Sequence, residues 1–219
     1  MTSRQQGYLG LILLMSLFIF YVLYMYFIYD PQAAAFLGHK EDLKRPLQES
    51  LWLNIMAGHI IVACVAMIAG AIGFSERLRR RRPDIHRIVG YLYVGAVMLV
   101  VLSSGYMAPY ATGGKMNSVA FNMMNLFWPA MTVWAVLQIR KKRLASHRRW
   151  NIRSYAFCYT NLSIHLITTA AYKGLSLPYV LSYTIGIYAT VPLLLLVAEV
   201  IIRTLYPVAG GSTDPHAHA

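Results

Sequence analysis

Long apolar stretches separated by short charged stretches dominate this chain. A helix needs about 20 apolar residues to cross a hydrocarbon core of about 30 Å, and six stretches meet that length. They cover about residues 8–29, 51–74, 86–108, 118–139, 152–172 and 179–202. The pattern predicts an all-α, polytopic membrane protein with six transmembrane helices in a single domain over residues 1–207. Residues 208–219, rich in Gly, Ser and His, are predicted to form a disordered tail.

Proline and glycine mark several of the predicted boundaries. Asp30-Pro31 closes the first stretch, and Pro109 with Gly113 and Gly114 separates the third from the fourth. Pro129 and Pro192 lie inside the fourth and sixth stretches. Because proline cannot donate a backbone hydrogen bond, a local kink or a freed carbonyl is expected at Pro129.

The composition and the charge distribution support a membrane protein. Hydrophobic residues make up 58% of the chain and charged residues 13%, with a formal net charge of +12. Thirteen Lys and Arg residues lie around the loops that follow the second and fourth stretches, which predicts that these loops face the cytoplasm. With six spans, both termini are then cytoplasmic, in a bacterial inner membrane. Short basic loops between apolar spans indicate contact with anionic lipid rather than nucleic acid.

Four histidines fall into two layers when the spans are placed in a bilayer. His59 in the second span and His165 in the fifth both lie about eight residues, roughly 12 Å, from the outer end. His86 and His147 lie where the third and fifth spans begin at the cytoplasmic face. The sequence therefore predicts one histidine pair in the outer half and another at the inner face.

The outer pair suits a haem b with two axial histidines, because neutral imidazoles on opposite faces of a porphyrin supply both axial bonds. His59 and His165 are the predicted metal ligands. A simpler interpretation is also open for each of them, namely a polar group inside the membrane that is hydrogen-bonded to a neighbouring helix.

The inner pair has more than one interpretation. His86 and His147 could ligate a second haem, or hold a haem propionate or a quinone headgroup, with Arg87, Arg148 and Arg153 as anion partners. They could equally bind lipid phosphate at the interface or cap a helix.

The sequence lacks residues that several other classes of protein need. No Asp or Glu lies in the middle of a span, which disfavours a proton-coupled transporter and an intramembrane metallohydrolase. A P-loop and a dinucleotide fingerprint are absent, and without a Cys-x-x-Cys-His motif covalent c-type haem is excluded. Cys64 and Cys158 lie in apolar segments and are interpreted as small buried side chains.

Two segments resemble each other within the chain. RRRRPDIHRIVGYLY enters the third span and KKRLASHRRWNIRSYAF enters the fifth, each with a basic run, a His-Arg pair and an aromatic helix. The likeness is consistent with an old internal duplication. It is equally consistent with two helix starts that acquired similar sequences independently because both lie at the membrane surface.

Three motifs lie within residues 51–172: GHIIVACVAMIAGAIGF, PDIHRIVGYLYV and SHRRWNIRSYAF. With these motifs the stretch resembles a family of predicted bacterial membrane proteins of unknown function. The resemblance places these residues at motif positions: His59, His86, Gly90, His147, Trp150, Arg153 and Ser154. The family often carries an arginine near the position of His165, where this chain departs from it.

The layout is also similar in pattern to the two-haem membrane cytochromes b. In that superfamily, paired histidines on four central helices hold two b haems, and this likeness implies electron transfer. The fourth span of this chain has no histidine, so His147, at the start of the fifth span, would have to be the haem ligand instead.

Two function hypotheses follow. The first is a membrane protein that binds haem b or a quinone and takes part in electron transfer. The second is a non-catalytic accessory subunit of a larger membrane complex, whose histidines and arginines bind lipid, pigment or a neighbouring subunit.

Overall fold

The structure, a computed structural model, describes residues 3–40 and 46–206 and is helical with no strand in those ranges. The predicted tail at 208–219 lies outside the described residues, as does the middle of the first polar connection. The α-helices of the described chain are α1 Ser3–Tyr24, α2 Ala34–Leu37, α3 Glu49–Gly73, α4 Glu76–Arg81, α5 Pro83–Met107, α6 Gly114–Arg140, α7 Leu144–Ala156, α8 Thr160–Thr169 and α9 Tyr179–Leu205.

Five described helical segments are long and apolar enough to cross a membrane. They are Gln5–Tyr29, Glu49–Gly73, Pro83–Tyr110, Gly114–Arg140 and Tyr179–Leu205. Each agrees with a predicted span to within a few residues. α6 and α9 continue through Pro129 and Pro192, as the sequence pattern predicts.

The predicted fifth span is helical but interrupted. α7 ends at Ala156, a 3₁₀ turn covers Phe157–Tyr159, α8 follows, and a π-helical turn covers Ala170–Gly174. The hydroxyl of Thr160 donates to the carbonyl of Phe157 at 2.6 Å, so the break does not leave that carbonyl unpaired. Neither α7 nor α8 alone is long enough to cross the membrane, and this run is not among the five candidate spans, which are selected by length and hydropathy.

The helices pack as neighbouring pairs around one main core. α3 packs along α5, α6 along α7 and α8 along α9, with further contacts between α5 and α6 and between α7 and α9. α1 lies against α3 at the edge of the bundle and exposes most of its apolar side chains. Exposed apolar surface of this extent is expected where a helix faces lipid tails.

A chain of hydroxyl groups joins α5, α7 and α6 in the core. Thr132 Oγ1 donates to the Trp128 carbonyl at 2.9 Å, so it can only accept from Ser154 Oγ at 2.7 Å. Ser154 Oγ has then used its proton and accepts from the Tyr93 hydroxyl, also at 2.7 Å. All three hydroxyl-bearing residues are buried, and each of their protons has a partner.

Close packing between α3 and α7 depends on a glycine. The Tyr155 ring of α7 lies directly over Gly70, and its hydroxyl donates to the Met67 carbonyl at 3.0 Å. A Cβ atom on Gly70 would overlap that ring, whereas one on Gly58 in the same helix would meet no atom within 4 Å.

The turn between α5 and α6 also needs glycine. Gly113 and Gly114 have φ angles of 84° and 69°, in the left-handed region that residues with a Cβ rarely adopt. The Gly113 position is crowded as well, because a Cβ there would overlap the amide of Asn117.

We expect Gly70→Ala to destabilise the protein by about 1–3 kcal/mol, because the Tyr155 ring must move and weaken its bond to Met67. Gly58→Ala is the matched control and should be neutral or stabilising by up to about 1 kcal/mol, since alanine favours a helix. Unfolding of both variants in the same detergent measures the difference. Equal stability would contradict this account of the α3–α7 contact.

Candidate functional site

An apolar cavity of about 230 Å³ lies in the half of the bundle that the charge pattern places outside. Its walls come from α1, α3, α5, α6 and α8, with Lys40 of the first connection at one side. Both His59 and His165 line it. The structure thus brings the two histidines of the predicted outer layer to one cavity, while their assignment as metal ligands stays a prediction.

The hydrogen bonds of His59 define which of its ring nitrogens is free. Ser103 Oγ donates within its own helix to the carbonyls of Leu99 and Val100, both at 2.9 Å. Its single proton is therefore used, and it accepts from His59 Nδ1 at 2.9 Å. We therefore assign the Nδ1–H tautomer to His59. In this tautomer Nε2 has a lone pair that can accept a hydrogen bond or bind a metal, and no hydrogen bond to it is found within the described chain.

His165 of α8 is the less constrained of the two outer histidines. It is half-buried, and neither of its ring nitrogens has a hydrogen-bond partner among the described residues. A polar ring at this depth is costly unless a partner satisfies it. The ring therefore has a free donor and a free acceptor available to a cavity ligand.

Three buried N–H donors of the cavity wall also have no partner. They are Trp52 Nε1 on α3, and Trp128 Nε1 and the side-chain nitrogen of Asn125 on α6. An unpaired buried donor costs about 1–3 kcal/mol, so a molecule that accepts from these donors would relieve that cost. Such a ligand has at least one exposed acceptor oxygen or nitrogen.

Lys40 lies over aromatic rings at the edge of this cavity. Its ammonium nitrogen is 4.6 Å from the ring centre of Phe36 and 5.1 Å from that of Trp52, and it donates to the Tyr110 carbonyl. Burial lowers the pKa of Lys40 from 10.5 to about 8. The outer cavity thus has a cation above its aromatic wall that titrates near neutral pH.

A second cavity, of about 420 Å³, lies at the basic end of the bundle. His86 at the start of α5 and His147 at the start of α7 line it from opposite helices. The side-chain Nδ1 of His86 is buried without a partner. The two histidines of the predicted inner layer are therefore also brought together.

His147 is held by protein groups at both nitrogens. Nδ1 donates to the Ala135 carbonyl at 2.8 Å, and Nε2 is 2.9 Å from the Asn151 side-chain nitrogen, which donates to it. This arrangement leaves no lone pair on His147 for an iron atom. The geometry fits a positioning role for His147 better than the predicted axial ligand of a second haem.

The three predicted anion partners lie in different surroundings. Arg153 forms an ion pair of 2.8 Å with Glu199 on α9, stacks on Trp150, and does not line either cavity. Arg87 lines the inner cavity and is paired at 3.8 Å with Asp84 in an exposed position. Arg148 also lines it and stacks on the Tyr206 ring at 4.9 Å.

The described residues contain no group of three or more His, Cys, Asp or Glu side chains that could hold a metal ion. Cys64 and Cys158 are free thiols and both line the outer cavity. A haem iron needs only two protein ligands, whereas this search required at least three. The predicted haem with two histidine ligands therefore stays a prediction.

Sequence reasoning missed three residues of the outer cavity, namely Lys40, Trp52 and Asn125. Lys40 belongs to a polar connection with several charges, and Trp52 lies near a span end where aromatic residues are common. Only Asn125, a polar amide within an apolar span, carried a signal that could have been used.

We expect the stability of the protein to rise with pH between about 8 and 10.5. Over this interval the unfolded chain keeps the Lys40 proton, whereas the folded chain has lost it, so raising the pH favours the folded state. Lys40→Met should remove that part of the rise, while Lys115→Met, which replaces an exposed lysine, should leave it unchanged. Thermal unfolding of the three proteins across this pH range measures the effect, and equal slopes would contradict it.

Comparison with known proteins gives one match. The family model described as "Predicted membrane protein (DUF2306)" matches residues 56–202, which include all four histidines of the two cavities. No curated protein and no solved structure matches the chain. The predicted resemblance to a family of membrane proteins is thereby confirmed, while the likeness to cytochromes b stays a prediction. The chain belongs to the DUF2306 family of predicted membrane proteins.

Proposed function

We propose that the outer cavity binds the headgroup of a quinone or quinol and that the protein takes part in electron transfer within the membrane. The observation that carries this proposal is the presence of unpartnered N–H donors, among them Trp52 Nε1 and Asn125 Nδ2, in the apolar cavity that also exposes His59. Quinone carbonyls accept from such donors. A quinol hydroxyl can in turn donate to the free Nε2 of His59.

The size of the cavity agrees with a headgroup rather than a whole lipid-soluble cofactor. Its volume of about 230 Å³ is below the roughly 300–1,000 Å³ of pockets that enclose drug-sized ligands. A quinone ring fits such a space when its apolar tail stays among the lipid chains. The aliphatic and aromatic walls supply the contacts that a flat ring needs.

Haem b is the second candidate for the same cavity. A metal-bound histidine usually donates its other ring N–H to an oxygen, and the bond from His59 to Ser103 meets that requirement. His165, with no protein partner, would supply the second axial nitrogen. Against this candidate, the cavity of about 230 Å³ is small for a whole macrocycle, and a porphyrin could accept from the Trp52 and Asn125 donors only through its propionates.

The membrane topology belongs to the same proposal. The helical run from Leu144 to Gly174 is long enough, at 1.5 Å per residue, to cross a core of about 30 Å despite its 3₁₀ turn. Counting it gives six spans, both termini on the cytoplasmic side and the basic loops inside a bacterial inner membrane.

Trp52→Phe tests the quinone proposal because it removes one N–H donor and keeps an aromatic ring. We expect the affinity for a short-chain ubiquinone in detergent to fall by about tenfold. The loss of the unpaired donor offsets part of the packing that the buried indole loses on Phe36, and thermal unfolding checks that the variant is folded before binding is measured. Trp134→Phe, at an exposed indole, is the control, and calorimetric titration measures the binding.

Two substitutions of His59 extend this binding experiment. His59→Asn keeps an amide near the position of Nδ1, within reach of Ser103, but removes the acceptor at Nε2, whereas His59→Gln places an amide oxygen near Nε2. We expect quinol affinity to fall in the Asn variant and to be better retained in the Gln variant. Unchanged quinone and quinol affinity in Trp52→Phe and His59→Asn would refute the proposal.

The two cofactor candidates differ in their absorption spectra. Haem b held by two histidines predicts a sharp α band in the dithionite-reduced minus oxidised spectrum of the purified protein, lost in His59→Ala and in His165→Ala. A quinone without haem predicts no such band. A flat spectrum together with no quinone binding would favour the accessory-subunit hypothesis.

A further inference from the structure

Two basic helix starts face each other across the inner cavity. The two similar sequence segments noted above supply them, one at the junction of α4 and α5 and the other at the start of α7. The arginines that line the cavity are Arg79, Arg87, Arg140 and Arg148. Among the described lining residues, Glu76 is the one carboxylate, so the cavity carries an excess of positive charge.

The acidic groups nearby neutralise only part of that charge. Glu76 lies 3.7 Å from Arg79, and Asp84, outside the lining, lies 3.8 Å from Arg87. On the opposite wall, the exposed Arg140 and the half-buried Arg148 have no carboxylate partner within the described residues. Two guanidinium groups that line one cavity without a counter-ion indicate an anionic ligand.

His86 adds an independent observation. Its Nδ1 is buried at the cavity wall and has no hydrogen-bond partner, although an unpaired buried polar atom is costly. His147 across the cavity is fixed by Ala135 and Asn151. One inner histidine is therefore held by the protein, and the other still has a hydrogen bond to make.

The remaining wall of the cavity is apolar. Aliphatic and aromatic residues continue from the basic end towards the middle of the bundle: Phe74, Tyr91, Val94, Val136, Ile139 and Tyr155. Gly90 lies among them, and a Cβ at this position would meet no atom within 4 Å. A ligand that fills this space needs a charged end and an apolar body.

We propose that the inner cavity binds an anionic phospholipid, with the phosphate near Arg140, Arg148 and His86 and an acyl chain along the apolar wall. A free phosphate would satisfy the same cations but would leave the apolar wall empty. The positive-inside orientation places this cavity at the cytoplasmic leaflet, where anionic headgroups are enriched.

The experiment uses the full chain in phosphatidylcholine nanodiscs with increasing fractions of phosphatidylglycerol. The test variant is Arg140→Gln with Arg148→Gln. The matched control is Arg81→Gln with Arg143→Gln, two exposed arginines of the same basic segments that do not line the cavity. Both variants lose the same net charge. Bound lipid is counted by native mass spectrometry, and lipid-induced stabilisation is followed by thermal unfolding.

We expect the parent and the control to retain bound phosphatidylglycerol and to be stabilised by it. The test variant should bind it roughly tenfold more weakly, as the loss of charge-assisted contacts predicts. His86→Phe should also weaken binding, with the arginines intact. Equal phosphatidylglycerol binding by the test and control variants would overturn the site.

Added inorganic phosphate separates the two sources of the anion. Stabilisation by millimolar phosphate in pure phosphatidylcholine, equal to that by phosphatidylglycerol, would overturn the lipid assignment. Stabilisation by phosphatidylglycerol alone would support it. The outcome is independent of quinone binding in the outer cavity, because none of the substituted residues lines that cavity.

Discussion

The hydroxyl chain from Tyr93 through Ser154 and Thr132 to the Trp128 carbonyl holds the centre of this protein together. No water reaches the hydrocarbon core, so a buried hydroxyl must find its partner on another part of the chain. Ser154 can satisfy both neighbours because a hydroxyl donates once and accepts as well. An alanine at this position would leave both neighbouring hydroxyls with a missing partner.

The same contacts separate the two cavities. Tyr93 and Tyr155 line the inner cavity, while Trp128 and Phe157 line the outer one. The close approach of the Tyr155 ring to Gly70 closes the gap between α3 and α7 at this level. The break of the fifth segment lies here too, so α7 carries His147 to one cavity and α8 carries His165 to the other. The ligands proposed for the two cavities would then be kept apart by packed side chains and the hydroxyl chain.

The depths of the histidines could be predicted from sequence, but their hydrogen bonds could not. Span length and the rise of an α-helix sufficed to group His59 with His165 and His86 with His147. The partner that fixes His147 is a backbone carbonyl of α6, which has no signature in the sequence. Arg153 and Glu199 likewise pair across 46 positions of the chain, so only the packing of α7 on α9 shows that Arg153 is already neutralised.

Donors and acceptors distinguish the possible ligands of the outer cavity more sharply than its shape does. The wall presents lone pairs at His59 Nε2 and on the His165 ring, and three buried N–H donors without partners, at Trp52, Trp128 and Asn125. A haem b would use the lone pairs for its iron, and it has acceptors for the N–H donors only at its two propionates. A quinol or quinone uses both kinds of group, since its oxygens accept and its hydroxyls donate. Trp52 precedes the matched family region at 56–202, whereas His59 and Asn125 lie within it, so the proposed quinone site would combine residues from inside and outside that region.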